Sequence, residues 1–277
     1  MTDRIGYLGP AGTYTEQAAL LYAPEAELVP YPTILAVGTA VAGDELDAGV
    51  VPIENSLEGS VTFTLDLLIA QSGLSIRNEV VIPIHHYLVA PPGVPAESVQ
   101  VIYSHPQALA QCRTYLETRF PTLPREASLS TAAAVADMQS SRVPAAAICP
   151  QRATEIYDVQ VLDQGIQDND TNQTRFVVLA HEDHDPTGHD RTSICFSFTV
   201  DRPGNLYNSI GEFARRDINL VKIESRPTKQ ELGRYIFLID CEGHRSGADV
   251  AAALEGLRQR VDMLKVLGSY PAWEPRQ

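Results

Sequence analysis

The sequence predicts an α/β protein followed by a smaller module of β-α-β-β-α-β order. Two patterns carry that expectation. Up to about residue 180, short apolar runs alternate with helical periodicities, as in a sheet with crossover helices. After Arg191 the order becomes strand, helix, strand, strand, helix, strand over about 75 residues. Charge changes at the same place. Residues 1–180 hold 8 basic and 20 acidic residues, a net of −12, whereas residues 181–277 hold 13 and 15, a net of −2. All three lysines, Lys222, Lys229 and Lys265, lie in the second part, which marks a boundary near residue 180.

The elements follow in order. Ile5–Leu8 reads as a strand, and Thr13 with Glu16 has capping-box spacing for a helix to about Tyr22. Thr33 is placed to cap a second helix with Ile34, Val37 and Val41 on one face. Ala48–Ile53 is a buried-strand run, then a polar loop leads to a helix near Val61–Gln71. A second set comprises strands at Ile76–Ile82 and Val99–Tyr103, a helix from Pro106 to about Arg119, and a strand at Glu126–Leu129. Ser130 or Thr131 would cap the next helix, before a strand at Ala145–Ile148. Pro91–Pro95 is a surface turn, Thr174–Leu179 a last strand, and His181–Asp190 a polar linker. In the module, strand Ser193–Val200 turns through Asp201–Gly204 into a helix bearing Leu206, Ile210 and Phe213. Strands Asn219–Ser225 and Tyr235–Cys241 follow. A helix with Val250, Leu254, Leu257 and Val261 and the strand Leu264–Leu267 close the set.

Composition excludes several classes. A net charge of −14 argues against nucleic-acid binding, which needs a basic face. No stretch reaches the roughly 18 apolar residues of a membrane span, and no apolar signal segment opens the chain, so a cytoplasmic protein is expected. Cys112, Cys149, Cys195 and Cys241 are scattered without C-x-x-C spacing, which disfavours disulfides and zinc. There is no Walker loop, and Gly6-x-x-Gly9-x-x-Gly12 has the wrong spacing for a dinucleotide fingerprint. No metal and no cofactor is expected.

Four polar loops fall between a strand and a helix start: Gly9–Thr13, Glu54–Ser60, Ser104–Gln107 and Ser130-Thr131. Each Ser or Thr taken singly reads as a helix cap. Together, with Asn and Gln added, they suggest a carboxylate-binding cleft beyond the strand ends. Asp170–Phe176 is dense in donors and contains Arg175, one of only eight basic residues before residue 180; it is either a turn before a strand or part of that cleft. His85-His86 reads as strand with one ring toward solvent, and Cys112 as packing rather than nucleophile. Metal binding by His181, His184 and His189 is disfavoured.

At these residues the chain resembles prephenate dehydratases with a C-terminal ACT regulatory domain. The resemblance rests on Gly6–Thr15, Pro52–Ser56 with Glu58-Gly59-Ser60, Ser104–Cys112, Asn172-x-Thr174-Arg175-Phe176 and Glu224-Ser225-Arg226-Pro227, in family order across nearly the whole chain. It implies a catalytic domain at 1–181 with two lobes like type II periplasmic binding proteins, about 1–78 with 165–180 and about 80–160, and an ACT domain of ferredoxin-like fold at 191–268. The implied reaction is cofactor-free decarboxylative dehydration of prephenate to phenylpyruvate. It also implies catalytic roles for Thr174, Asn55, Ser104 and Gln111. Thr13, Ser56, Thr131, Asn172, Arg175 and Phe176 are the expected substrate contacts. L-Phenylalanine would bind as effector around Gly204, Asn205, Leu206, Tyr207, Asn219, Leu220, Val221, Glu224, Ser225, Arg226 and Pro227, in a homo-oligomer built as a dimer of dimers. Asn205 and Gly233-Arg234-Tyr235 depart from the family's usual residues. Arogenate dehydratase and a non-catalytic amino-acid sensor are the competing expectations.

Overall fold

A computed structural model describes residues 2–71, 73–200, 202–229 and 233–274. The expected turn residue Asp201 lies outside the described residues. Chain order is β1 (Arg4–Leu8), α1 (Tyr14–Tyr22), β2 (Glu27–Tyr31), α2 (Ile34–Ala42), β3 (Ala48–Asn55), β4 (Gly59–Ser60), α3 (Thr62–Ala70) and β5 (Ser75–Pro83). The chain then crosses to β6 (Tyr87–Ala90), β7 (Val101–Ser104), α4 (Pro106–Gln111), α5 (Arg113–Arg119), β8 (Arg125–Ala127), α6 (Ala133–Gln139), β9 (Ala145–Cys149), α7 (Gln151–Ile156) and β10 (Gln160–Gln164). It returns as β11 (Gln173–Ala180) and ends in β12 (Asp190–Ser197), α8 (Asn205–Ala214), β13 (Leu220–Pro227), β14 (Tyr235–Glu242), α9 (Ala248–Arg258) and β15 (Met263–Pro271).

Three sheets result. The first has the order β2-β1-β3-β11-β5, with β4 on β3; the second is β8-β7-β9-β6-β10. Both follow one plan: second, first and third strands run parallel, and the strand arriving from the other lobe inserts antiparallel before the fourth. The two crossings are stitched together, Ile84 N to Asn172 O at 2.9 Å and His86 N to Gln167 Oε1 at 3.0 Å. The third sheet, β13-β14-β12-β15, belongs to the βαββαβ module. Its core is shared: Cys195, Leu238, Leu267 and Tyr270 pack with Val177, Leu179, Leu74 and Ile76 of the first lobe. Contact there is close enough that a Cβ on Gly268 (φ +148°) would lie 2.2 Å from the Ile76 carbonyl oxygen, so only glycine fits.

Local chemistry explains the boundaries. Thr13 and Thr33 both cap their helices, accepting from Glu16 N and Ala36 N. The single helix expected from Pro106 to Arg119 is two, broken at Cys112 (φ −110°, ψ 21°). Asp168 enters the break: its N–H donates to Gln111 O at 2.7 Å and its carboxylate accepts Thr114 N at 3.1 Å. The strand expected at Glu126–Leu129 ends at Ala127, and Leu129 is 96% exposed. His85 and His86 belong to a crossing rather than a strand; His86 is buried. The closing strand runs to Pro271 because it continues to pair with β12 as far as Asp190. Among the described residues, no helix is long and apolar enough to cross a membrane and no group of ligand-type side chains could hold a metal.

Candidate active site

Asn55 ends β3 and its side chain turns back on the chain. Its Oδ1 accepts Leu57 N and Glu58 N, each at 3.0 Å, an Asx turn that fixes which way the amide points. Nδ2 therefore donates, to Asn172 Oδ1 at 2.8 Å and to Thr174 Oγ1 at 2.9 Å. Asn172 Nδ2 then donates to Gln111 Oε1 at 3.2 Å, and that oxygen lies 3.0 Å from His86 Nε2. These roles are compatible only if His86 carries its proton on Nε2. Its Nδ1 is then an acceptor, 3.1 Å from Tyr14 Oη, whose proton is shared with the His85 carbonyl at 2.7 Å. One backbone turn thus sets every donor from Asn55 to the imidazole. Because Thr174 Oγ1 accepts from Asn55, its own proton is free to point outward.

Thr174 points into a cleft of about 220 Å³ between the lobes. Tyr14, Asn55 and Thr174 line one wall; His105, Gln107, Gln111 and Leu129–Thr131 line the other, with Ile84 and His86 at the crossing. No Asp, Glu, Lys or Arg is among its lining residues. Burial pushes His86 below the ordinary imidazole value, more than its bond to Gln111 raises it. Burial lowers His105 likewise and holds the Tyr14 phenol well above its usual value. The cleft is therefore neutral and rich in donors. Gln111 Nε2 has no hydrogen-bond partner among the described residues, and Ser130 Oγ accepts from Ala133 N at 2.9 Å, which leaves its proton to donate. A larger groove of about 630 Å³ beside α2 and α3, lined by Leu8, Ile34, Leu35, Phe63 and Leu67, is apolar and unsuited to an anion.

The structure brings Thr174, Asn55, Asn172 and Gln111 into one hydrogen-bonded set, with Thr131 on the facing wall. Ser56 is exposed beside Asn172, accepting Gln173 N at 2.9 Å. Four expected site residues lie elsewhere. Ser104 is sealed and donates to the Ile148 carbonyl at 2.7 Å, a tie between strands. Thr13 is committed to capping α1 and bonds back to Leu8 O at 3.2 Å. Arg175 and Phe176 follow Thr174 on β11. Strand alternation sends Arg175 to the opposite face, against Asp240, and returns Phe176 to the face of Thr174, where it packs into the first-lobe core with Ala18, Ala19 and Ile82. Conversely, Tyr14 and His86 are site residues that periodicity did not single out. The available signal was a histidine set in an otherwise apolar run.

In the module, Gly204 (φ +89°) starts α8, Asn205 Nδ2 donates to Val200 O at 3.0 Å, and Tyr207 is exposed. Leu206 and Leu220 pack into the module core, and Asn219 donates to Glu242 at 3.0 Å. Val221, Ser225 and Pro227 are exposed on edge strand β13. Glu224 and Arg226 point away from them: Glu224 accepts from Ser60 Oγ, and Arg226 binds Thr62 O at 3.0 Å and Asp66 at 3.2 Å. Their side chains are engaged by the first lobe. Cys112 is buried and its thiol pKa is raised, which disfavours a nucleophile.

The prephenate dehydratase family model matches residues 5–184. The bifunctional chorismate mutase/prephenate dehydratase of Aquifex aeolicus is 42% identical over 270 residues, covering 97% of this chain and 73% of that protein. The chain belongs to the prephenate dehydratase family. It is a lyase of that family, whose product leads to phenylalanine. The prephenate dehydratase of Arthrobacter aurescens, solved in complex with L-Phe, superposes with a TM-score of 0.90 at 37% identity, covering 97% of this chain and 90% of that one. GqqA, a quorum-quenching acylase, superposes with a TM-score of 0.88 at 27% identity, covering 98% of each chain.

Proposed function

We propose that prephenate binds in the neutral interlobe cleft, with Thr174 as the hydrogen-bond donor to its departing hydroxyl. The observation that supports this is the Asn55–Thr174 hydrogen bond, which leaves the threonine proton free toward the cleft. In the reaction the ring carbon–carboxylate bond breaks and its electron pair enters the ring. The ring carbon–hydroxyl bond breaks, and the oxygen leaves as water after gaining a proton. A threonine hydroxyl is a weak acid, so Thr174 acts mainly by placing that proton, which solvent replaces. Ser130, Thr131, Gln107 and Gln111 orient the carboxylates through neutral donors. Without a formal cation, the carboxylate about to be lost is not held too tightly. Thr174→Ala is expected to fold normally and lose about 100-fold or more in kcat. Formation of phenylpyruvate from prephenate, and of phenylalanine from arogenate, measured side by side checks this and separates the arogenate and sensor readings. Wild-type turnover in the variant rejects the assignment.

We infer that residues 1–181 form a catalytic domain arranged like type II periplasmic binding proteins, and that 191–268 form a ferredoxin-like ACT domain. The shared strand plan of the two lobes supports the first reading, and the order β13-β14-β12-β15 the second. L-Phenylalanine is the proposed effector, as the Arthrobacter protein's complex suggests. Edge strand β13, with Val221 and Ile223 exposed, is suited to pairing with a second copy toward a dimer of dimers. Phenylalanine titrated against activity and sedimentation is expected to lower turnover while shifting the association state. Change in neither ends this reading.

A further inference from the structure

The residues that hold Thr174 and Asn55 in place are themselves held by the C-terminal module. Thr174 and Asn55 face each other across β11 and β3, and the next pair in that register is Arg175 with Glu54. Alternation turns this second pair to the back of the sheet, where the module lies. Arg175 Nη2 donates to Asp240 Oδ2 at 2.7 Å, and Lys222 Nζ lies 3.2 Å from Glu54 Oε2. Asp240 and Lys222 are themselves partners in the register of β13 and β14. Asp240 is kept in place by Ser193 Oγ, which donates to its other oxygen at 2.6 Å. The four side chains thus close a rectangle. Two corners adjoin the cleft residues and two belong to one rung of the module's sheet.

We propose that Asp240 and Lys222 are positioning residues of the lyase reaction, acting through Arg175 and Glu54 to hold Thr174 against Asn55. The inference rests on the role assigned above to Thr174. The Arg175, Asp240 and Glu79 side chains are all at most 10% exposed, so this link does not slip as a solvated surface pair would. A shift of the Asp240–Lys222 rung slides β11 against β3. It lengthens the 2.9 Å Asn55–Thr174 bond without replacing any residue of the cleft lining.

Asp240→Asn and Lys222→Gln test the link directly. Because Asp240→Asn leaves Arg175 beside fewer charges and can fail to fold, the double variant Arg175→Met/Asp240→Leu is measured with them. It replaces the buried pair by apolar side chains while removing the tether. A misplacement of this kind is expected to lower kcat by about 10- to 100-fold, with KM for prephenate within about 3-fold and melting of the folded double variant preserved. A merely structural role would lower melting temperature and leave kcat per folded molecule intact. A folded double variant with kcat within about 2-fold of the parent, alongside a Thr174→Ala variant that has lost its turnover, overturns this inference alone. A fully active Thr174→Ala variant overturns the cleft reading and this one with it.

Discussion

His86 shows how much one residue's protonation state depends on atoms far along the chain. The N–H groups of Leu57 and Glu58 orient Asn55, and the alternation of donors carries that orientation through Asn172 and Gln111 to the imidazole. A proton added at Nδ1 makes both ring nitrogens donors and removes the acceptor facing Tyr14 Oη. Burial lowers the folded-state value below 6.5, so His86 binds fewer protons folded than unfolded. Its contribution to stability and geometry is therefore present above about 6.5, the unfolded value, and is lost as pH falls through the lower folded value. The groups it meets are the neutral Gln111 amide, the Tyr14 phenol, which burial holds well above its usual value, and the exposed His85. The acid limb of kcat is expected to fall below pH 6.5, and His86→Leu to remove that limb while lowering the plateau. An unchanged acid limb in the variant assigns it to another group.

At the scale of elements, the sequence made visible what is local and concealed what depends on partners. Thr13 and Thr33 cap helices through bonds to residues three positions on, and Ser130 makes a bond of the same spacing to Ala133 in the turn before α6, so composition reveals them. The break at Cys112 does not show in its own segment. It is made by Asp168, from the returning crossing, which takes up Thr114 N. Strand β2 was missed because Pro30 argues against a strand; it is tolerated there because β2 is an edge. The polar β10, also an edge, gives no apolar run, and β6 merged with the histidines before it. In the site, Thr174, Asn55, Asn172 and Gln111 were legible by motif, and Thr131 by its place in a polar loop between strand and helix. Ser104, Thr13, Arg175 and Phe176 share those motifs but not the cleft, since a motif records neither the face a residue takes nor the partners that already engage it. Arg175 is the clearest case. As a lone cation beside a proposed anion site it invited a substrate role, and a single step of alternation gave it to Asp240 instead.

Over the whole molecule, the charge asymmetry is resolved by docking and not by substrate capture. Every lysine in the chain reaches from the module to the acidic first lobe. Lys222 binds Ser60 at 2.7 Å and Glu54, Lys229 binds Asp66 at 2.6 Å, and Lys265 caps the carbonyl end of α3 at Leu68 O, 2.6 Å. Lys265 there meets the negative end of a helix dipole. None of these cations faces the cleft, whose lining residues carry no formal charge. A dianionic substrate therefore approaches a protein of net charge −14 with no steering field in its favour. Added salt screens that repulsion, with a Debye length of about 8 Å at physiological ionic strength and about 3 Å at 1 M. Cleft hydrogen bonds are short-range and neutral and do not weaken with it. KM for prephenate is expected to stay level or fall as salt rises from about 0.01 M toward about 1 M, as measured by initial rates of phenylpyruvate formation. Recognition by a formal cation would instead raise KM steeply over the same range. That rise would place a charged residue in the substrate site and overturn the neutral-donor account.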